Sequence, residues 1–210
     1  MESLRTNING TVNLIEQSII QKAKHFIFAS TEWVYPNQKK LFNENTNINI
    51  DLLDNNYAIS KLIGERILSN YTNKIKISIL RFGIIYSNRK AGGSAVETLI
   101  NTIKKSSQVK IGSKHTSRRY IHIDDVIESL IISYKKQIIG KFNISGNKDI
   151  NLQKILKLAE KYLNKKVRIV EKTKTKPSKR KVSNLKAKKI MGWSPKIDIE
   201  TGIKQIISRK

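Results

Sequence analysis

Leu4, Ile8, Val12, Ile15 and Ile19 recur at helical intervals, which predicts an amphipathic helix over about residues 5–23. Phe26-Ile27-Phe28-Ala29-Ser30 is a short apolar run and predicts a buried strand. Residues 36–56 are rich in Asn and Asp and are expected to form a loop, with a lid as one use. A second helical pattern starts at Tyr57 and runs through Ile63, Ile67 and Leu68. Ile75, Ile77 and Ile79 alternate into Leu80-Arg81, a second strand. A Gly92-Gly93 loop leads to a helix over about 95–105, and short strands are predicted at 109–112 and 119–123. Asp124-Asp125 supply negative charge at the start of a helix reaching about Tyr134. Lys141 to Ile144 and Val167 to Val170 read as strands. Between them Leu152, Ile155, Leu156, Leu158 and Ala159 mark a helix that Asn151 caps. A helix from Asn184 to Met191 stops at Gly192, and Pro195 separates it from a last helix over 199–207. Strands alternating with helices indicate an α/β protein with a mostly parallel sheet. No internal repeat is visible, and Lys172 to Lys181 is the most linker-like segment, expected to be a mobile surface loop.

The length of 210 residues suits one well-buried domain, with room for a small second lobe. There is no cysteine, which excludes disulfide scaffolds and thiolate metal sites and makes the cytoplasm the default location. His25, His115 and His122 show no metal-ligand spacing. No apolar run approaches a membrane span, and Met1 is not followed by a signal-type apolar core. The formal charge of +25 invites a nucleic-acid reading. The basic residues are mostly lysines interrupted by Ile and Asn, without the Arg and aromatic pattern that stacks bases, so an anionic small molecule is the simpler partner.

One pair carries candidate chemistry. Tyr57 and Lys61 stand four apart on a predicted helix and therefore share a face. An ammonium near a phenol favours the phenolate and lowers its pKa from about 10. The tyrosine then becomes a candidate acid/base for a sugar or alcohol hydroxyl. The spacing alone is common on solvated helices.

Other segments agree with it in order. Ser30-Thr31-Glu32-Trp33-Val34-Tyr35 is followed by Tyr57-x-x-x-Lys61 and by Leu80-Arg81-Phe82-Gly83-Ile84-Ile85-Tyr86. Next come Arg118-Arg119-Tyr120-Ile121-His122-Ile123-Asp124-Asp125-Val126, then Asn184-Leu185-Lys186-Ala187 and Met191-Gly192-Trp193-Ser194-Pro195. With Asn7-Ile8-Asn9-Gly10-Thr11-Val12-Asn13 before them, these segments resemble the extended short-chain dehydrogenase/reductases, the NAD-dependent epimerases and dehydratases of nucleotide sugars. The likeness runs from near residue 5 to near residue 203. It implies catalytic roles for Thr31, Tyr57 and Lys61, with Tyr57 and Lys61 also at the nicotinamide ribose of NAD or NADP. Thr31, Glu32, Arg118 and Arg180 would meet the nucleotide-sugar substrate, the guanidiniums at its diphosphate. His122 and Asp125 are expected to hold the fold, and Asn7 and Asn9 to fix backbone or order water. The resemblance implies a core made mainly of residues 1–84 and 118–145, and a substrate lobe of 85–117 and 146–210.

The sequence also departs from the family. A dinucleotide-binding unit opens on a strand, a glycine-rich turn and a helix, and no Gly-x-x-Gly-x-x-Gly or Gly-x-Gly-x-x-Gly occurs here. The acidic residue that would grip the adenosine ribose is missing too. By resemblance the first three strand–helix units, ~70 to 80 residues, are absent, leaving an incomplete Rossmann-like sheet. The expectation is either a separate chain that supplies those strands or a remnant without full function. A homodimer is left open. Pro36 stands where the family has Gly, and Ile84 where many members have Asn. Glu32 and Trp33 stand where 4,6-dehydratases carry an Asp–Glu pair, which favours epimerisation or ketone/alcohol redox over water elimination.

Overall fold

The computed structural model describes residues 2–89, 93–173 and 177–208. Gly92 of the predicted glycine loop and Lys174 to Lys176 of the linker-like segment lie outside the described residues. The main sheet has three parallel strands: β1 (His25–Thr31), β3 (Lys76–Phe82) and β8 (Gly140–Ile144), in the order β1-β3-β8. Phe26 pairs with Ile77 and Phe28 with Ile79 in one ladder, and Leu80 pairs with Phe142 in the other. The Ile75–Ile77–Ile79 alternation reflects only one face, since every residue from Ile77 to Phe82 is buried. Full burial of a central parallel strand follows from helices covering both sheet faces.

On one face lie α1 (Glu2–Ile20) and α2 (Asn56–Ser69), and Ile15 and Leu68 pack with Phe28, Ile75, Ile77 and Ile79. Asn7 Nδ2 donates to Ser60 Oγ at 2.9 Å and joins the two helices. On the other face lies α4 (Ile123–Lys136), where Val126 packs with Leu80, Phe82, Phe142, Met191 and Trp193. A third apolar cluster forms where α3 (Ala95–Lys105), α5 (Leu152–Leu163) and α6 (Ile199–Ser208) meet the parallel pair β5 (Gln108–Ile111) and β10 (Arg168–Glu171). Short pairs finish the fold: β4 (Ile85–Tyr86) with β7 (Ile121–His122), β6 (Ser117–Arg118) with β9 (Ile150–Asn151), and β2 (Leu41–Phe42) with β11 (Lys181–Val182). Among the described residues β1 pairs only with β3, so its other edge is open.

Four local expectations are corrected. The 36–56 stretch is not all loop: Leu41–Phe42 forms β2, and Ile50–Leu52 a 3-10 turn capped by Asn49. The strand expected at 119–123 is split, because Arg118 belongs to β6, Tyr120 to neither strand, and Ile123 opens α4. The helix over 184–191 is wound as a π turn at Ala187–Met191, which Gly192 ends at φ +70°. The linker-like segment is packed at its C-terminal end: Arg180 is 2% exposed, and Lys179 N donates to Asn37 Oδ1 at 2.8 Å.

Candidate active site

Thr31 ends β1, at the C-terminal side of the sheet where open α/β folds take ligands. Its Oγ1 accepts from Trp33 N at 3.3 Å and so caps the 3-10 turn Glu32–Val34. Tyr57 sits in the first turn of α2, which Asn55 caps by accepting from Ala58 N at 2.8 Å. That start brings the Tyr57 phenol near the Thr31 hydroxyl. One turn on, Lys61 Nζ lies 5.0 Å from the centre of the Phe28 ring and 5.9 Å from that of Tyr57. Gly64 makes this possible: a Cβ there would stand 2.8 Å from Phe28 Cζ, so only glycine lets the ring lie against the helix.

The expected depression of the Tyr57 pKa is corrected. Burial pushes the Tyr57 phenol up, and the nearby Thr31 hydroxyl only partly opposes this. Burial also lowers the Lys61 ammonium. The reason is geometric, since Lys61 lies over ring faces instead of against the phenol oxygen. Tyr57 is still 43% exposed, so its hydroxyl is reachable.

Glu32, next to Thr31, is fully buried. Arg118 Nε stands 3.6 Å from Glu32 Oε1. The two terminal nitrogens of Arg118 donate to Ser117 O, Ser178 O and Ser178 Oγ at 2.7, 2.9 and 2.6 Å. Arg180 donates through Nε to Tyr35 O at 2.9 Å, and Asp54 lies 3.4 Å from its terminal nitrogen. The Trp33 indole is flanked by both guanidiniums, Arg180 at 4.3 Å and Arg118 at 5.8 Å from the ring centre. All six carried-over residues therefore fall into two adjoining clusters. Thr31, Tyr57 and Lys61 form one, and Glu32, Arg118 and Arg180 the other, with Trp33 between the two arginines. His122 caps α4 by accepting from Asp124 N at 3.3 Å. The Asp125 carboxylate accepts from Lys196 N and Ile197 N at 2.9 and 3.1 Å, so both residues fasten the fold.

Several partners were not read from the sequence. Ser178 and Asn37 hold Arg118 in place, and no spacing signal connects them across the chain. Glu65 was findable, since it follows Lys61 by four on the same helix. It binds Arg81 and Ser30 beneath the site. Among the described residues, no helix is long and apolar enough to cross a membrane.

The comparisons with known proteins agree with this geometry. The chain is 28% identical over 211 residues to a UDP-glucuronate 4-epimerase of Thermodesulfobacterium geofontis, covering 97% of this chain and 64% of that protein. It thus spans just under two thirds of the length of that relative. A crystal structure of UDP-glucose 4-epimerase with UDP-glucose from Thermotoga maritima superposes with a TM-score of 0.86 at 26% identity, over 97% of this chain and 69% of that one. UDP-glucuronic acid 4-epimerase from Bacillus cereus, at 24% identity, shares the fold with a TM-score of 0.85, over 97% of this chain and 67% of that one. The model of the NAD dependent epimerase/dehydratase family matches residues 2–145, and the chain belongs to that family.

Proposed function

We propose that this chain carries the catalytic and substrate-binding residues of an NAD(P)-dependent nucleotide-sugar epimerase or reductase. The observation that supports it most is the meeting of Thr31 and Tyr57 hydroxyls at the end of a parallel strand, one turn from Lys61 and beside two buried arginines. Tyr57 would hold and release the proton of a sugar hydroxyl, with Thr31 orienting that hydroxyl. Lys61 would bond the nicotinamide ribose, and Arg118 and Arg180 would face the diphosphate. The cofactor, when bound, supplies hydride acceptance and return. Residues 85–117 and 146–210 would form the lobe that takes the sugar nucleotide.

The residues fit only the nicotinamide end of such a cofactor. The described chain has no glycine-rich strand–turn–helix unit, and Gly10 lies inside α1 with open space around it. A second reading on the same fold is a binding subunit or non-catalytic relative. The discriminating experiment mixes the chain with a polypeptide carrying the glycine-rich strand–helix units, NAD and UDP-glucose, and follows the sugar by NMR. Epimer or keto sugar that disappears with Tyr57→Phe supports the enzyme. Tight UDP-glucose binding without turnover supports the binding subunit.

A further inference from the structure

Glu32 is an unusual carboxylate. It is 0% exposed, and neither of its oxygens accepts a hydrogen bond. Buried polar atoms nearly always have such partners. The nearest cation, Arg118 Nε, is 3.6 Å away, an ion pair too long for a hydrogen bond. The forks of both facing arginines are spent elsewhere, on Ser117 and Ser178 for Arg118, and on Tyr35 and Asp54 for Arg180. Glu32 is thus held near two positive charges without being bonded to either. A proton can come and go there without breaking a hydrogen bond.

We infer that Glu32 is a proton-operated counter-ion. As a carboxylate it neutralises Arg118 and Arg180, and as an acid it leaves both cations to the diphosphate of a nucleotide sugar. This rests on the reading of the site as a nucleotide-sugar site. Glu32 acts through the arginines and is a positioning residue.

The groups around it bear this out. Burial pushes the Glu32 carboxyl up to about 7, against the opposite pull of Arg118 and Arg180. Tyr120, two residues beyond Arg118, is itself pushed up to about 12 by burial and stays neutral. Asp54, ahead of α2, reaches the cluster through Arg180. From α2, the Tyr57 phenol adjoins Thr31 and is neutral across the same range. Glu32 is therefore the group at this place that changes charge near neutrality. A diphosphate arriving beside the arginines tightens its hold on the proton. Binding then takes up a proton above pH 7 and none well below it.

The test is calorimetric titration of the 210-residue chain with UDP-glucose, at pH 6 and pH 8, in buffers of different ionisation enthalpy. The diphosphate of UDP-glucose is a diester and gains no proton in this range, so any uptake belongs to the protein. The expected result is affinity about tenfold higher at pH 6 than at pH 8, with uptake approaching one proton at pH 8. Glu32→Gln should bind at both pH values with the pH 6 affinity and take up none. Equal affinity at both pH values, without proton uptake, overturns the inference and leaves the proposed function standing. No binding at pH 6 overturns both. Tryptophan fluorescence of the free chain, from Trp33 and Trp193 together, gives a readout that needs no ligand once the Glu32→Gln trace is subtracted. A transition centred near pH 7 supports the inference, and one centred below pH 5 overturns it.

Discussion

The Arg81 guanidinium lies bidentate on the Glu65 carboxylate, with contacts of 2.8 and 2.5 Å, and both side chains are 2% exposed. Arg81 also donates to the Tyr35 hydroxyl at 2.8 Å, and Ser30 Oγ donates to Glu65 at 2.5 Å. The pair thereby ties β1, α2 and β3 together directly below Thr31. Removing one partner leaves an uncompensated charge in the interior, so Glu65→Ala should cost roughly 3–5 kcal/mol in urea unfolding. Replacing both by apolar residues of similar size should cost clearly less than the sum of the single changes. Additive losses would show that the two charges are not coupled.

Glu32 should make stability depend on pH. Its folded carboxyl titrates near 7, above its ordinary 4.5, so the folded state holds the proton more tightly than the unfolded one. Stability from this residue is complete below pH 4.5 and is lost as pH rises through 7, a change on the order of 3 kcal/mol. Urea midpoints of wild type and Glu32→Gln, measured from pH 4 to 8, should move apart with rising pH, the variant becoming the more stable.

Gly64→Ala should disturb the Thr31–Tyr57–Lys61 cluster from behind. The added methyl meets Phe28 Cζ at 2.8 Å, and the ring under Lys61 must move. Overpacking costs about 1–3 kcal/mol, while alanine returns about 1 kcal/mol of helix propensity. The net expectation is a loss near 1 kcal/mol, together with displaced Lys61 resonances in an NMR spectrum. An unchanged Lys61 environment would mean that Phe28 yields without moving the ammonium.

Tyr57→Phe should abolish turnover in the complemented system and shift stability by less than about 1 kcal/mol, because the phenol is half exposed. The wild-type phenol is raised by burial, so a rate that depends on the phenolate should climb with pH past neutrality. A rate that peaks below pH 7 would assign the base elsewhere.

The chain by itself should hold NAD and NADP weakly. Pyrophosphate sites use a helix N-terminus approached through a strand and a glycine-rich turn, and no Gly-x-x-Gly-x-x-Gly or Gly-x-Gly-x-x-Gly occurs in this sequence. Calorimetry should give no micromolar affinity for either dinucleotide. Micromolar binding to a monodisperse chain would reveal contacts outside this scheme.

Periodicity carried the main elements into view. The α1 stripe, the Phe26 strand, the Asn151 cap and the Gly192 stop each depend on near neighbours, and near neighbours are what a sequence displays. The Tyr57–Lys61 pairing was visible for the same reason, through one helical turn. What it could not display was the orientation of Lys61 over Phe28, since that ring arrives from another strand. Nor could it display β2, whose two residues gain strand form only by pairing with Lys181 and Val182. The burial of Glu32 arises the same way, with Arg118 and Arg180 arriving from distant parts of the chain.

Ser178 follows Arg118 by 60 positions, and it takes two of the guanidinium's hydrogen bonds, beside the one to Ser117 O. During synthesis at about 5–20 residues per second, the arginine leaves the ribosome roughly 3–12 s before its anchor exists. Through that interval the strand bearing Thr31 can already pair with β3, but the cationic wall beside it has nothing to settle against. The arginine side of the site is therefore a late product of translation. A ribosome that stalls in the lysine-rich codons before Ser178 would release a chain whose sheet is formed, whose Arg118 is loose and whose Arg180 is missing.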